Sequence, residues 1–102
     1  MGKRILLVED DSELVELVRF NLEAVGFSVK AAADGAEGLK LARSLLPDLI
    51  LLDLMLPELD GYSVCEILRR DSTTAGIPVF IVTAVATQLS RYAGYEAGAD
   101  AY

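Results

Sequence analysis

Short apolar runs alternate with amphipathic helical patterns along the 102 residues of this chain. Apolar runs of this kind, bounded by turn residues, are typical of strands that are buried on both faces. The segments between them repeat apolar residues three and four positions apart, which predicts helices that each cover one side of a sheet. A repeated strand–helix unit predicts a parallel sheet with helices on both faces. We therefore expect an α/β fold with a doubly wound sheet.

The same pattern predicts where the elements lie. Four strands are predicted at residues 4–8, 27–32, 48–52 and 79–82. Four helices are predicted at roughly residues 14–25, 36–46, 62–71 and 87–97. Asp11 or Ser12 is the expected N-cap of the first helix and Gly26 its stop, whereas Pro47 ends the second helix. A fifth strand would begin near Asp100, and no linker divides the chain, so one domain is expected.

Two of the predicted strands end in acidic residues. Glu9, Asp10 and Asp11 follow the first strand, and Asp53 follows the third. Parallel α/β proteins place their chemistry at the carboxyl ends of the strands, so Glu9, Asp10 and Asp53 should converge if these strands are neighbours. Their mutual repulsion favours a hard divalent cation, and Mg²⁺ prefers carboxylates, carbonyls and waters. The alternative is that these acids are solvated or cap helices, which is the interpretation we prefer for Asp11.

Thr83 follows the fourth predicted strand, at the same edge of the sheet. A hydroxyl there can donate to a phosphoryl oxygen. A β-branched residue is equally ordinary at the end of a strand, so Thr83 becomes informative only together with Asp53.

Composition excludes several classes of function. The net charge is −7 and the basic residues are scattered, which argues against direct binding of nucleic acid. The chain has no histidine, which excludes catalysis by histidine and metal ligation by histidine. Its single cysteine, Cys65, excludes a disulfide framework. We expect Cys65 to be a small, partly buried side chain. No apolar stretch is long enough to span a membrane, and we expect a soluble, cytoplasmic protein.

Taken together, these features resemble the receiver domains of two-component response regulators, the CheY-like family. The segments that carry the resemblance are residues 5–11 (ILLVEDD), 47–61 (PDLILLDLMLPELDG), 78–84 (PVFIVTA) and 98–102 (GADAY). The resemblance implies a flavodoxin-like three-layer sandwich with the strand order 2-1-3-4-5.

The resemblance also implies a role for each acid. Asp53 corresponds to the phosphoacceptor, and Asp10 corresponds to a direct Mg²⁺ ligand. Glu9 occupies the position that acts on the metal through water, and the backbone carbonyl of Met55 matches the main-chain metal ligand.

Function and partners follow from the same resemblance. The chain is expected to be a phosphorylation-dependent switch, not an enzyme, that accepts a phosphoryl group from a sensor histidine kinase or a phosphotransfer protein. Thr83 matches the switch hydroxyl and Tyr102 the switch aromatic. An alternative is an interaction module that works without phosphorylation. A phosphatase of the haloacid-dehalogenase type is disfavoured because Met55 stands where its second acid would be.

The chain departs from the family pattern at its end. It stops at Tyr102, about three residues before the lysine that the family carries on its fifth strand. The expectation is a receiver domain over residues 1–102 that is truncated at the carboxyl end, with the fifth strand and fifth helix incomplete or absent. An uncovered fourth-strand edge or fourth-helix face would then destabilise the domain or pair with a second copy.

Overall fold

The computed structural model describes residues 2–54, 56 and 59–82. Its strands are β1 (Arg4–Val8), β2 (Ser28–Ala32), β3 (Leu49–Leu52) and β4 (Val79–Ile81). Its helices are α1 (Ser12–Ala24), α2 (Gly35–Leu45) and α3 (Gly61–Arg70). All seven elements occur where the sequence predicts them, with small shifts at the ends. The fourth helix and the fifth strand of the prediction lie outside the described residues.

The four strands form one parallel sheet in the order β2-β1-β3-β4. This order confirms the predicted doubly wound, CheY-like arrangement over the described part of the chain. In the register of the central pair, Val8 lies beside Leu52, and Leu52 in turn lies beside Ile81. The carboxyl ends of β1, β3 and β4 therefore reach the same level of the sheet, which is what brings their following residues together.

Each face of the sheet packs against its own helices. The larger core lies under α2 and α3 and is built on alternate strand residues together with helix residues such as Val64 and Leu68. The smaller core lies under α1, where Val15, Val18 and Leu22 contact the opposite face of β1 and β2. A helix face that buries apolar residues at this spacing is what the amphipathic pattern predicts.

Burial differs between the two central strands. In β1 all of residues 5–8 are buried, as predicted for a strand covered on both faces. In β3 Ile50 and Leu52 are fully buried, whereas Leu49 and Leu51 are only half-buried. The prediction of two-sided burial is therefore wrong for β3, because α1 covers that face mainly over β1 and β2. On β4 the side chain of Phe80 is 40% exposed. Pairing of two copies of the chain through β4 or through the fourth helix is not tested by this exposure and stays a prediction.

Aspartates cap the described helices at the end of the sheet that carries the acids. Asp11, Asp34 and Asp60 each accept backbone N–H groups of the first turn of α1, α2 and α3. Such caps satisfy donors that have no partner within the helix. At the other end, Gly26 has a φ of 100°, which confirms it as the stop after α1. None of the described helices has both the length and the hydrophobicity of a membrane span.

The connection from α2 to β3 contains a strained residue. Leu46 caps the carboxyl end of α2 with a φ of 46° and a ψ of 63°, in the left-handed region. An L-residue in this region costs about 1–2 kcal/mol relative to the right-handed conformation. Its N–H nevertheless donates to the carbonyl of Ala42, so the turn closes the helix before Pro47 as predicted.

Candidate functional site

The pairing of β1 with β3 brings the predicted acids together. The backbone N–H of Asp53 donates to the carbonyl of Val8 at 3.0 Å, which extends the ladder one residue beyond the paired strand ends. Carboxylate oxygens of Glu9, Asp10 and Asp53 all lie within 4.8 Å of one another. The structure thus confirms that these three acids converge at the carboxyl edge of the sheet.

The three carboxylates differ in their exposure. Glu9 is buried, with only 6% of its surface exposed, and Asp53 is half-buried, whereas Asp10 is exposed. Glu9 and Asp10 are adjacent in the chain, yet their carboxylates reach the same cluster from a buried and an exposed position. The cluster is therefore open to solvent through Asp10 and enclosed at Glu9.

The electrostatics of the cluster are unfavourable without a positive partner. Burial raises the pKa of the Glu9 carboxyl above its ordinary value, and the negative charges of Asp53 and Asp10 raise it further. A hydrogen bond from the backbone N–H of Asp11 acts in the opposite direction, because it favours the ionised form. Two charges about 4 Å apart repel by roughly 1 kcal/mol in water and roughly 4 kcal/mol at an effective dielectric constant of 20.

Asp11 is connected to the cluster in a way that the sequence did not reveal. Its carboxylate caps α1 by accepting the N–H groups of Glu13 and Leu14, which confirms its predicted capping role. Its own N–H donates to Oε2 of Glu9 at 3.0 Å. The signal available in the sequence was an N-cap residue placed directly after an acidic pair. That signal did not indicate the second hydrogen bond, which depends on how the loop turns.

The donor set of the cluster fits a hard cation. All three groups offer carboxylate oxygens, the ligands that Mg²⁺ prefers. Oxygens bound to one octahedral Mg²⁺ lie about 3–4 Å apart, as follows from metal–oxygen distances of about 2.1 Å. Separations of up to 4.8 Å therefore fit direct ligation by part of the set and contact through water by the rest. Neither of the ion pairs Arg19–Glu16 and Arg43–Asp71 involves these acids.

Three predicted site residues lie outside the described residues. These are Met55, Thr83 and Tyr102. The nearest described residue to Thr83 is Val82, whose N–H donates to the carbonyl of Leu52 at 2.9 Å. The hydrogen bonds between β3 and β4 therefore continue to Val82, the last described residue. Their partner on β3 at that point is Leu52, the residue directly before Asp53. Cys65 is fully buried in the larger core, somewhat more enclosed than predicted.

Comparison with known proteins identifies the family. Residues 5–102 match the response regulator receiver domain. The chain is 50% identical over 99 residues to the DNA-binding dual master transcriptional regulator RpaA of Synechocystis sp., covering 97% of this chain and 41% of RpaA. The chain spans 41–44% of the length of the curated relatives that it matches.

Solved structures agree with this assignment. Chemotaxis protein CheY4 of Vibrio cholerae has a TM-score of 0.93 at 26% identity, over 99% of this chain and 84% of that one. The receiver domain of sensor histidine kinase PA1611 from Pseudomonas aeruginosa PAO1 has a TM-score of 0.92 at 34% identity, over 100% of this chain and 84% of that one. In that structure a magnesium ion is coordinated in the active site cleft. The chain belongs to the receiver domain family of two-component response regulators.

Proposed function

We propose that this chain is a phosphorylation-dependent signalling switch that accepts a phosphoryl group on Asp53 in a Mg²⁺-dependent reaction. The observation that carries the proposal is the convergence of the Glu9, Asp10 and Asp53 carboxylates within 4.8 Å at the edge of the sheet. Membership of the receiver family supports the assignment of the acceptor to Asp53.

Asp53 is the group that we expect to react. One of its carboxylate oxygens forms a bond to phosphorus while the bond from phosphorus to the donor atom breaks, and the donor atom keeps the electron pair. The donor atom is a nitrogen in a phosphohistidine and an oxygen in acetyl phosphate. The exposed Asp10 beside Asp53 keeps the cluster open to solvent, and the N–H bond of Asp53 to Val8 holds the Asp53 backbone in place. Such positioning, together with electrostatics, is most of what catalyses phosphoryl transfer.

Four groups of the chain are proposed to hold the metal. Asp10 and Asp53 would bind it directly with the backbone carbonyl of Met55, and Glu9 would act through water. The magnesium ion in the related PA1611 receiver domain supports this assignment. When bound, Mg²⁺ offsets the negative charge of the acids and of the phosphoryl oxygens.

The wider role follows from the family. We propose that residues 1–102 form a cytoplasmic phosphoacceptor domain, not an enzyme, that is addressed by a sensor histidine kinase or a phosphotransfer protein. Thr83 would then meet the new phosphoryl group, and Tyr102 would change position with it, which is the kind of local electrostatic event that biases a two-state packing. Related regulators such as RpaA bind DNA. With a net charge of −7, this chain is itself not proposed to do so.

Uptake of a phosphoryl group from acetyl phosphate tests the proposal. The protein is incubated with acetyl phosphate with and without Mg²⁺ and examined by intact mass spectrometry. The wild type is expected to gain one phosphoryl group only with Mg²⁺, and Asp53→Asn is expected to gain none. Asp34→Asn is the matched control, because it removes the same charge and asparagine also caps helices. Equal uptake by the wild type and Asp53→Asn would refute the assignment of the acceptor.

A further inference from the structure

We infer that Gly61 is a positioning residue for Asp53, because the first residue of α3 packs directly against the peptide that carries the acceptor. The inference rests on the proposed role of Asp53 as the acceptor. It adds the contact that holds the Asp53 backbone in position. The N–H of Gly61 donates to the carbonyl of Leu54 at 3.2 Å, so the two segments are in contact.

The contact leaves no room for a side chain at Gly61. A Cβ atom there would overlap the carbonyl oxygen of Asp53, and it would lie 2.9 Å from the Cα of Leu54 and 3.1 Å from the carbonyl carbon of Asp53. Cβ atoms essentially never approach other atoms closer than 3.0 Å. All three atoms belong to the backbone, so no rotation of a side chain can relieve the overlap.

Other glycines of the chain have different surroundings. A Cβ at Gly2 would also overlap backbone, that of Gly26, and a Cβ at Gly38 would meet the branched side chain of the buried Val8, whereas a Cβ at Gly76 would meet nothing within 4 Å. Gly76 also has an ordinary φ, so alanine is tolerated there by space and by backbone. It therefore provides a control for the glycine-to-alanine change itself.

The two segments that meet at Gly61 are the first turn of α3 and the Asp53–Leu54 peptide, and each is held in place by further contacts. Val64 and Leu68 of α3 are buried in the larger core, and the cap of Asp60 on the N–H of Ser63, at 2.9 Å, fixes the first turn. Asp53 is tied to β1 by its N–H bond to Val8. A Cβ at Gly61 must therefore displace the Asp53–Leu54 peptide, the first turn of α3, or both. Displacing groups that orient metal ligands typically lowers metal affinity about 10–100-fold.

The test compares Gly61→Ala with Gly76→Ala. Two quantities are measured in the folded proteins: the backbone amide shifts of Asp53 and Leu54 without metal, and the dissociation constant for Mg²⁺ alone. Gly61→Ala is expected to move both amide signals and to weaken Mg²⁺ binding at least about tenfold. Gly76→Ala should leave both quantities at their wild-type values.

A third variant separates positioning from lost stability. Ile77→Ala removes a buried side chain at the opposite edge of the sheet and should lower the melting temperature without weakening Mg²⁺ binding. If Gly61→Ala binds Mg²⁺ within about twofold of the wild type and leaves the two amide signals in place, the inference is wrong.

A further pair of variants decides the matter if Gly61→Ala does not fold. Asp60→Ala removes the cap of α3 and should shift the Asp53 amide and weaken Mg²⁺ binding, whereas Asp60→Asn keeps the cap and should do neither. Unchanged behaviour of Asp60→Ala would overturn the inference. If the wild type binds Mg²⁺ but accepts no phosphoryl group, the proposed function fails, while the Mg²⁺ affinities and amide shifts still decide the role of Gly61.

Discussion

The backbone N–H of Asp11 donates to Oε2 of Glu9 at 3.0 Å, while the Asp11 carboxylate caps α1. One residue therefore connects the buried acid of the cluster to the start of a helix. The hydrogen bond favours the ionised form of Glu9 and opposes the effect of its burial. The capping bonds supply partners for N–H groups that the helix itself leaves free.

The capping role of Asp11 predicts a specific loss of stability. Asp11→Ala should lower the free energy of unfolding by about 1 kcal/mol, because the N–H groups of Glu13 and Leu14 lose their acceptor. Asp11→Asn should retain most of that stability, since asparagine caps as well as aspartate. Urea denaturation followed by circular dichroism measures both. Equal losses in the two variants would show that the charge matters and the cap does not.

Mg²⁺ should stabilise the folded domain by relieving the repulsion among the three acids. At a concentration about 100 times its dissociation constant, a ligand that binds only the folded state adds about 2.7 kcal/mol, which raises the melting temperature by about 11–22 °C in a domain of this size. Asp10→Asn should abolish most of this rise and should itself melt higher than the wild type without metal.

The control for the metal experiment is Asp34→Asn, which changes the net charge equally at a helix cap outside the cluster. Its response to Mg²⁺ should match that of the wild type. A wild-type response in Asp10→Asn would exclude Asp10 as a ligand.

The ion pair between Arg43 and Asp71 predicts a pH dependence of stability. The hydrogen bond from Arg43 Nε, 2.8 Å long, and those from Thr73 lower the pKa of Asp71 from 3.8 to about 2. Because the folded-state pKa lies below the unfolded value, the stabilisation is present above pH 3.8 and is lost as the pH falls towards 2. Arg43→Met should therefore melt lower than the wild type near neutral pH, and the difference should shrink across that acidic interval.

An exposed arginine of α3 supplies the comparison for Arg43. Arg70→Met removes the same charge without removing a hydrogen bond to Asp71, so its difference from the wild type should change less over the interval. A constant difference between Arg43→Met and the wild type down to pH 2 would contradict the assignment.

The left-handed conformation of Leu46 predicts an unusual order of two variants. Leu46→Gly should be more stable than Leu46→Ala by about 1 kcal/mol, because glycine adopts a φ of 46° without the penalty that alanine retains. At Lys40, exposed within α2, the order should be the reverse, since glycine is about 1 kcal/mol worse than alanine inside a helix. Thermal unfolding of the four variants checks both signs. The same order at both positions would contradict the strain at Leu46.

Local patterns in the sequence were sufficient for much of the fold. The apolar period placed every described strand and helix, and N-cap preferences limited the start of α1 to Asp11 or Ser12, of which the structure has Asp11. These features depend on a few neighbouring residues, so they can be predicted without knowing the rest of the molecule. The topology of repeated strand–helix units then predicted which acids would share one edge of the sheet.

Features that depend on distant parts of the chain were decided by the tertiary structure. The adjacent acids Glu9 and Asp10 differ in burial because only the folded loop turns one carboxylate inward. The sequence places Gly61 in the segment after Asp53, but its contact with the Asp53 backbone depends on how α3 packs against the sheet. The half-exposed face of β3 depends likewise on where α1 lies. Residues close together in the chain specify the helices and strands, and the repeated strand–helix units specify the edge at which the acids meet. Long-range packing sets the distances between these acids, their burial and the contacts that hold them.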